Sequence, residues 1–190
     1  MEGEEERSEN EGSFSKSSIP KRIAIVAAGA TVNIIFGIVI YFILTSTSPA
    51  YYLDISFKET ENNLTNHLIY AGRTTKELII SIAESIKMIF TGGISADQMM
   101  GPVGISGVVS KTSGIREFLY MLALISVSLG VTNLLPIPAL DGGKILLLII
   151  EAIRRKPLNE KTEINIQLIG FSILIALSLY ITYNDILRIF

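Results

Sequence analysis

Residues 118–143 read FLYMLALISVSLGVTNLLPIPALDGG. Phe118 to Leu140 is 23 residues without a charge, and roughly 20 apolar residues cross the hydrocarbon of a bilayer as a helix. Pro136 and Pro138, two apart, cannot both sit in a regular helix. The spacing therefore predicts a membrane helix that breaks near Asn133. Broken backbone at membrane depth is tolerated only where it lines a cavity or is buried in protein. Asp141 follows at that point, and a carboxylate embedded in a membrane is a functional candidate by default. The competing reading makes Asp141 a cap for a short helix that follows around Lys144, a position that suits aspartate.

Two further runs have the same character: Ile23 to Leu44 is 22 residues without a charge, and Ile164 to Asn184 is 21. Of the 190 residues, 49% are hydrophobic and 18% charged, with a mean hydropathy of +0.48. The fold class predicted is an all-α membrane protein with three transmembrane helices, the second broken at Asn133–Asp141, plus one amphipathic surface helix. The first run begins after some twenty polar residues and is too long for a signal peptide. The net charge of −2, with no basic stripe interleaved with aromatics, gives nucleic-acid binding no electrostatic basis. The absence of cysteine excludes disulfides and thiolate chemistry. His67 is the only histidine.

The chain then divides as follows. Residues 1–20 are an acidic tail, Glu2, Glu4, Glu5, Glu6, Glu9 and Glu11 around Arg7, too poor in apolar surface to order itself. Residues 21–44 are the first span. On it Gly29 and Asn33 share a face, and the Asn33 amide should meet protein rather than lipid. Residues 45–73 form a polar extracytoplasmic loop in which His67 is an ordinary loop residue. Residues 74–92 form the amphipathic helix, opened by a Thr74/Glu77 capping box and closed by Gly92 and Gly93. It is too short and charged to span, and lies at the membrane surface or packs on the bundle. The Gly-rich segment 93–114 argues against continuous helix. Residues 115–153 hold the broken span and a short helix, 154–163 a basic loop, and 164–187 the third span. Lys16, Lys21 and Arg22 at one point, and Arg154, Arg155, Lys156 and Lys161 at another, place both regions in the cytoplasm by the positive-inside rule.

The motif Asn133-x-x-Pro136-x-Pro138-x-Leu140-Asp141-Gly142-Gly143 resembles the second signature of the site-two protease family, the intramembrane zinc metalloproteases. Gly101-Pro102-Val103-Gly104-Ile105 is similar to a glycine-proline segment that precedes this signature in bacterial members. Arg22 through Asn33 is similar to the family's second membrane segment, with Ala30 where a proline is usual. The resemblance implies that Asp141 is the third zinc ligand. Two histidines of a His-Glu-x-x-His helix in an earlier segment supply the others, and the glutamate of that helix is general base on the zinc-bound water. Three protein ligands with an open fourth position is the arrangement catalytic zinc requires, and it brings the pKa of bound water toward about 7. Asn33, Asn133, Pro136, Pro138, Gly142 and Gly143 would support the site or contact an unwound substrate helix. The partners implied are transmembrane protein substrates, the lipid bilayer, and a chain or segment carrying His-Glu-x-x-His.

The chain departs from the family in one respect that matters: it contains no His-Glu-x-x-His, and a single histidine cannot supply two ligands. The acidic tail resembles the linker after a first membrane segment. The leading expectation is therefore the C-terminal portion of an intramembrane zinc protease, Met1 being an internal methionine or the start of a truncated frame. Residues 45–73 are too few for the PDZ domain many bacterial members carry there. Two other readings compete: a catalytically inactive protease-like protein that binds or regulates membrane partners, and a small carrier or channel subunit with Asp141 as its ion site.

Overall fold

The computed structural model describes residues 13–47, 63–93 and 99–189. Among the described residues six helices follow a short 3-10 turn at Phe14–Lys16: α1 (Ile19–Thr47), α2 (Leu64–Thr91), α3 (Pro102–Val109), α4 (Ile115–Asn133), α5 (Asp141–Arg154) and α6 (Glu160–Ile189). Among the described residues α1, α4 and α6 are long and apolar enough to cross a membrane. Leu168, Ile169, Ile173 and Leu179 of α6 are all more than half exposed, as are Val32 and Ile35 of α1. On a water-soluble surface such patches would be a liability; on a membrane helix they are the side turned to lipid.

The chain forms two compact units. In the first, made of residues up to Thr31 and Thr132–Leu177, Phe14, Val26 and Leu148 form a small core flanked by Ile19, Ile23 and Ile145. Arg22 stacks over the Phe14 ring, 5.0 Å from its centroid, and its Nη1 donates to Glu151 Oε1 at 3.0 Å. Both charged side chains are largely buried, 11% and 14% exposed. Such a pair adds little net stability against apolar packing, but losing one partner leaves a buried charge. The acidic tail is thus ordered at its end, contrary to the sequence expectation, because Phe14 supplies the apolar anchor its glutamates cannot. Residues 1–12 of the tail lie outside the described residues, as do 48–62 of the expected loop.

In the second unit, Val32–Val131 with Ser178–Phe190, a core of Ile40, Tyr41, Ala71, Ala123 and Val127 joins α1, α2 and α4. The α1 and α4 backbones meet at Gly37, where a Cβ would run into Val127. This unit corrects two expectations. Helix α2 begins at Leu64, ten residues before Thr74, and His67 lies in its first turns rather than in a loop. Asn63 is the N-cap, its side chain accepting from the Thr65 N–H at 3.3 Å. Asparagine is among the strongest N-caps, so Thr74 is left in mid-helix. Glu77 pairs with Arg73 instead, at 3.1 Å. The second correction is α3, eight helical residues inside the Gly-rich segment. Pro102 suits the first helical position. The Asp185 carboxylate, 3% exposed, accepts from the N–H groups of Gly101 and Gly104 at 2.9 and 2.8 Å. A distant side chain thereby satisfies donors that every helix start leaves open.

Candidate functional site

Helix α4 ends at Asn133, and the chain runs without regular structure to Leu140. The break falls where the prolines demand it. The Leu135 N–H bonds back to Thr132 O at 3.1 Å. Pro136 then occupies the centre of a γ-turn closed by the Ile137 N–H on Leu135 O, at 2.7 Å. A second turn, Ile137-Pro138-Ala139-Leu140, is closed by Leu140 N–H on Ile137 O at 3.1 Å. Proline second and a positive φ third is the type II pattern, which normally has glycine in the third place. Here that residue is Ala139, at φ 76°. Left-handed backbone costs a residue with a Cβ about 1–2 kcal/mol, so the surroundings must hold it there.

They do so from two sides. From α5, Gly142 and Gly143 lie flush against the loop: a Cβ on Gly142 would run into the Leu134 and Leu135 carbonyls, and one on Gly143 into that of Ile137. From α6, Gln167 Oε1 accepts from the Ala139 N–H at 2.8 Å, and a Cβ on Gly170 would lie 2.5 Å from Pro138. Since backbone rather than a flexible side chain must give way, Gly142→Ala is expected to destabilise the protein by about 3 kcal/mol. Thermal unfolding in detergent checks this against Gly29→Ala, whose added methyl enters open space and should be neutral or stabilising by up to about 1 kcal/mol. Equal stability of the two variants would show that the loop is not clamped.

Asp141 departs from the sequence expectation. It is the first residue of α5, not part of the irregular stretch. Nor is it the cap: the Gly143 and Lys144 N–H groups both bond to Leu140 O, at 3.0 and 3.2 Å, which makes Leu140 the cap. The half-buried Asp141 carboxylate therefore starts a helix, where negative charge is favoured by about 0.3–1 kcal/mol. Asn133, Pro136, Pro138, Asp141, Gly142 and Gly143 thus form one continuous feature. Asn33 has a different setting: its main-chain carbonyl accepts from Ser126 Oγ of α4 at 2.8 Å. Gln167 and Gly170 were not singled out by the motif, yet the rule that marks Asn33, an amide inside an uncharged run, marks Gln167 equally.

Whether zinc fits can be asked of the donors alone. Among the described residues no group of three or more His, Asp or Glu side chains could hold a metal ion. Asp141 is a single donor, so the described residues do not by themselves form a zinc site.

Residues 1–177 match peptidase family M50, and the chain belongs to that family. Over 132 residues it is 42% identical to the zinc metalloprotease RasP of Shouchella clausii, covering 68% of this chain and 32% of that protein. The regulator of sigma-W protease RasP of Bacillus subtilis is 41% identical over 138 residues, 71% of this chain and 32% of its own length. A putative zinc metalloprotease of Streptococcus pyogenes is 44% identical over 112 residues, covering 58% of this chain and 26% of its own. The chain spans about a third of the length of the relatives it matches.

Proposed function

We propose that this chain is the C-terminal membrane part of an intramembrane zinc metalloprotease that hydrolyses peptide bonds in transmembrane helices of membrane proteins. It sits in the cell membrane as a multi-pass protein, and Asp141 is the zinc donor it contributes. The observation that carries this reading is the clamped break at 134–140, which leads directly into a half-buried carboxylate at a helix start in an M50 chain. A soluble or purely structural helix pair has no need of such a break, because unpaired backbone at membrane depth is costly. Asn133, Pro136, Pro138, Gly142 and Gly143 shape the break, and Asn33 supports the bundle. The remaining ligands and the general base come from a His-Glu-x-x-His segment outside these 190 residues.

The test compares the 190-residue chain with one extended by such an upstream segment, measuring zinc content and cleavage of a transmembrane reporter. The chain alone should neither retain zinc nor cleave. The extended chain should do both, and should lose activity to a chelator. Chelator-sensitive cleavage by the 190-residue chain would overturn the reading.

A further inference from the structure

We infer that Gln167 is a positioning residue for the break: its amide oxygen holds Ala139 in the left-handed conformation and thereby fixes the direction in which Asp141 leaves the loop. This deepens the proposed function and rests on it for its link to catalysis, though not for its structural content.

Ala139 occupies the turn position normally filled by glycine, at φ 76°, so the loop stores strain that something must balance. A side chain meets that residue directly through the 2.8 Å bond from the Ala139 N–H to Gln167 Oε1. A donor N–H requires an oxygen opposite it, so the bond also fixes which way the amide faces. Its other end, Nε2, is buried and has no partner among the described residues. A buried donor left unpaired is unfavourable. An apolar residue would avoid that cost, so the glutamine is accounted for by its oxygen. Gly170, three residues on and therefore on the same face of α6, lets the helix approach Pro138 closely enough for the bond to form. The acceptor lies 28 residues from its donor, on a different helix. The loop's shape is thus set by α6 as well as by its own prolines.

Amide hydrogen exchange across residues 134–141 of the full chain tests this directly, since Pro136 and Pro138 leave few amides to resolve. Gln167→Met keeps the bulk and removes the oxygen. It should speed exchange at Ala139 and Leu140 about fivefold, the loss expected for one neutral hydrogen bond, with residues 170–178 of α6 unchanged. Gln167→Glu keeps an acceptor and should stay within about twofold of the parent. Adding Ala139→Gly to Gln167→Met should restore protection at Leu140, because glycine adopts the turn unaided. Unchanged loop exchange in Gln167→Met, or equal loosening by Met and Glu, would overturn the assignment. In the chain extended by His-Glu-x-x-His, Gln167→Met should lower cleavage and Gln167→Glu should restore it. Full cleavage by Gln167→Met, with a loosened loop, would refute the catalytic link. If Asp141→Asn in that protein cleaved normally, the zinc reading of Asp141 would fall, while the exchange result would still decide the role of Gln167.

Discussion

Asp141→Asn, placed in the chain extended by a His-Glu-x-x-His segment, is expected to lower zinc retention at least about a hundredfold and to remove reporter cleavage with it. Disturbing even the partners of a metal ligand costs about 10–100-fold in affinity or activity, and here the donor itself becomes a neutral amide, a poorer ligand for zinc than a carboxylate. The substitution isolates that chemistry. Asparagine has nearly the same shape, and residue 141 takes no part in the cap, which is the Leu140 carbonyl. Only the favourable placement of a charge at the α5 start is lost, about 0.3–1 kcal/mol. The unfolding midpoint should therefore hardly move while zinc content collapses. Full zinc content and cleavage in the variant would remove Asp141 from the site.

Asp185→Ala should have the largest effect on stability. The variant deletes a carboxylate that accepts from Gly101 and Gly104 at 2.9 and 2.8 Å, and leaves two donors unpaired at the α3 start, that of Gly101 buried and that of Gly104 half-buried. An orphaned buried donor costs about 1–3 kcal/mol, and bonds to a charged acceptor lie at the upper end. Because water can partly meet the half-buried Gly104 donor, a total of about 3–4 kcal/mol follows. Asp185→Asn, whose amide keeps one acceptor oxygen, should lose roughly half as much. Reversible unfolding in mixed detergent micelles measures both. An alanine variant within about 0.5 kcal/mol of the parent, the range of an ordinary surface substitution, would show that α3 does not depend on this contact.

How far these features can be read from sequence depends on where their causes lie along the chain. Helices α1, α4 and α6 are legible because a run of more than twenty uncharged residues has little alternative but to be a membrane helix. The break is legible because Pro136 and Pro138 act locally. The first ten residues of α2 are not: Asn66, His67 and Arg73 have the look of a loop, and what settles the matter is the Asn63 cap together with the burial of Ala71 and Thr75 against neighbours. Helix α3 is hidden for the same reason, since its glycines argue against helix until Asp185 is brought to its start. At the site, the contiguous motif names the loop and the glycines beneath it, whereas Gln167 and Gly170 contribute from another helix and leave only a faint trace, one amide in an apolar run. The placement of Asp141 within α5 turns on a single carbonyl, that of Leu140, which no pattern of side chains reveals.

The Asp185 contact also bears on the order in which the protein is made. Its acceptor lies 84 residues beyond Gly101. During synthesis from the N-terminus, the start of α3 therefore enters the membrane environment long before the group that will satisfy it exists. Until Asp185 has been made, those amides must be met by water or by a transient partner. A nascent chain halted before residue 185 would therefore have the α3 start without its acceptor.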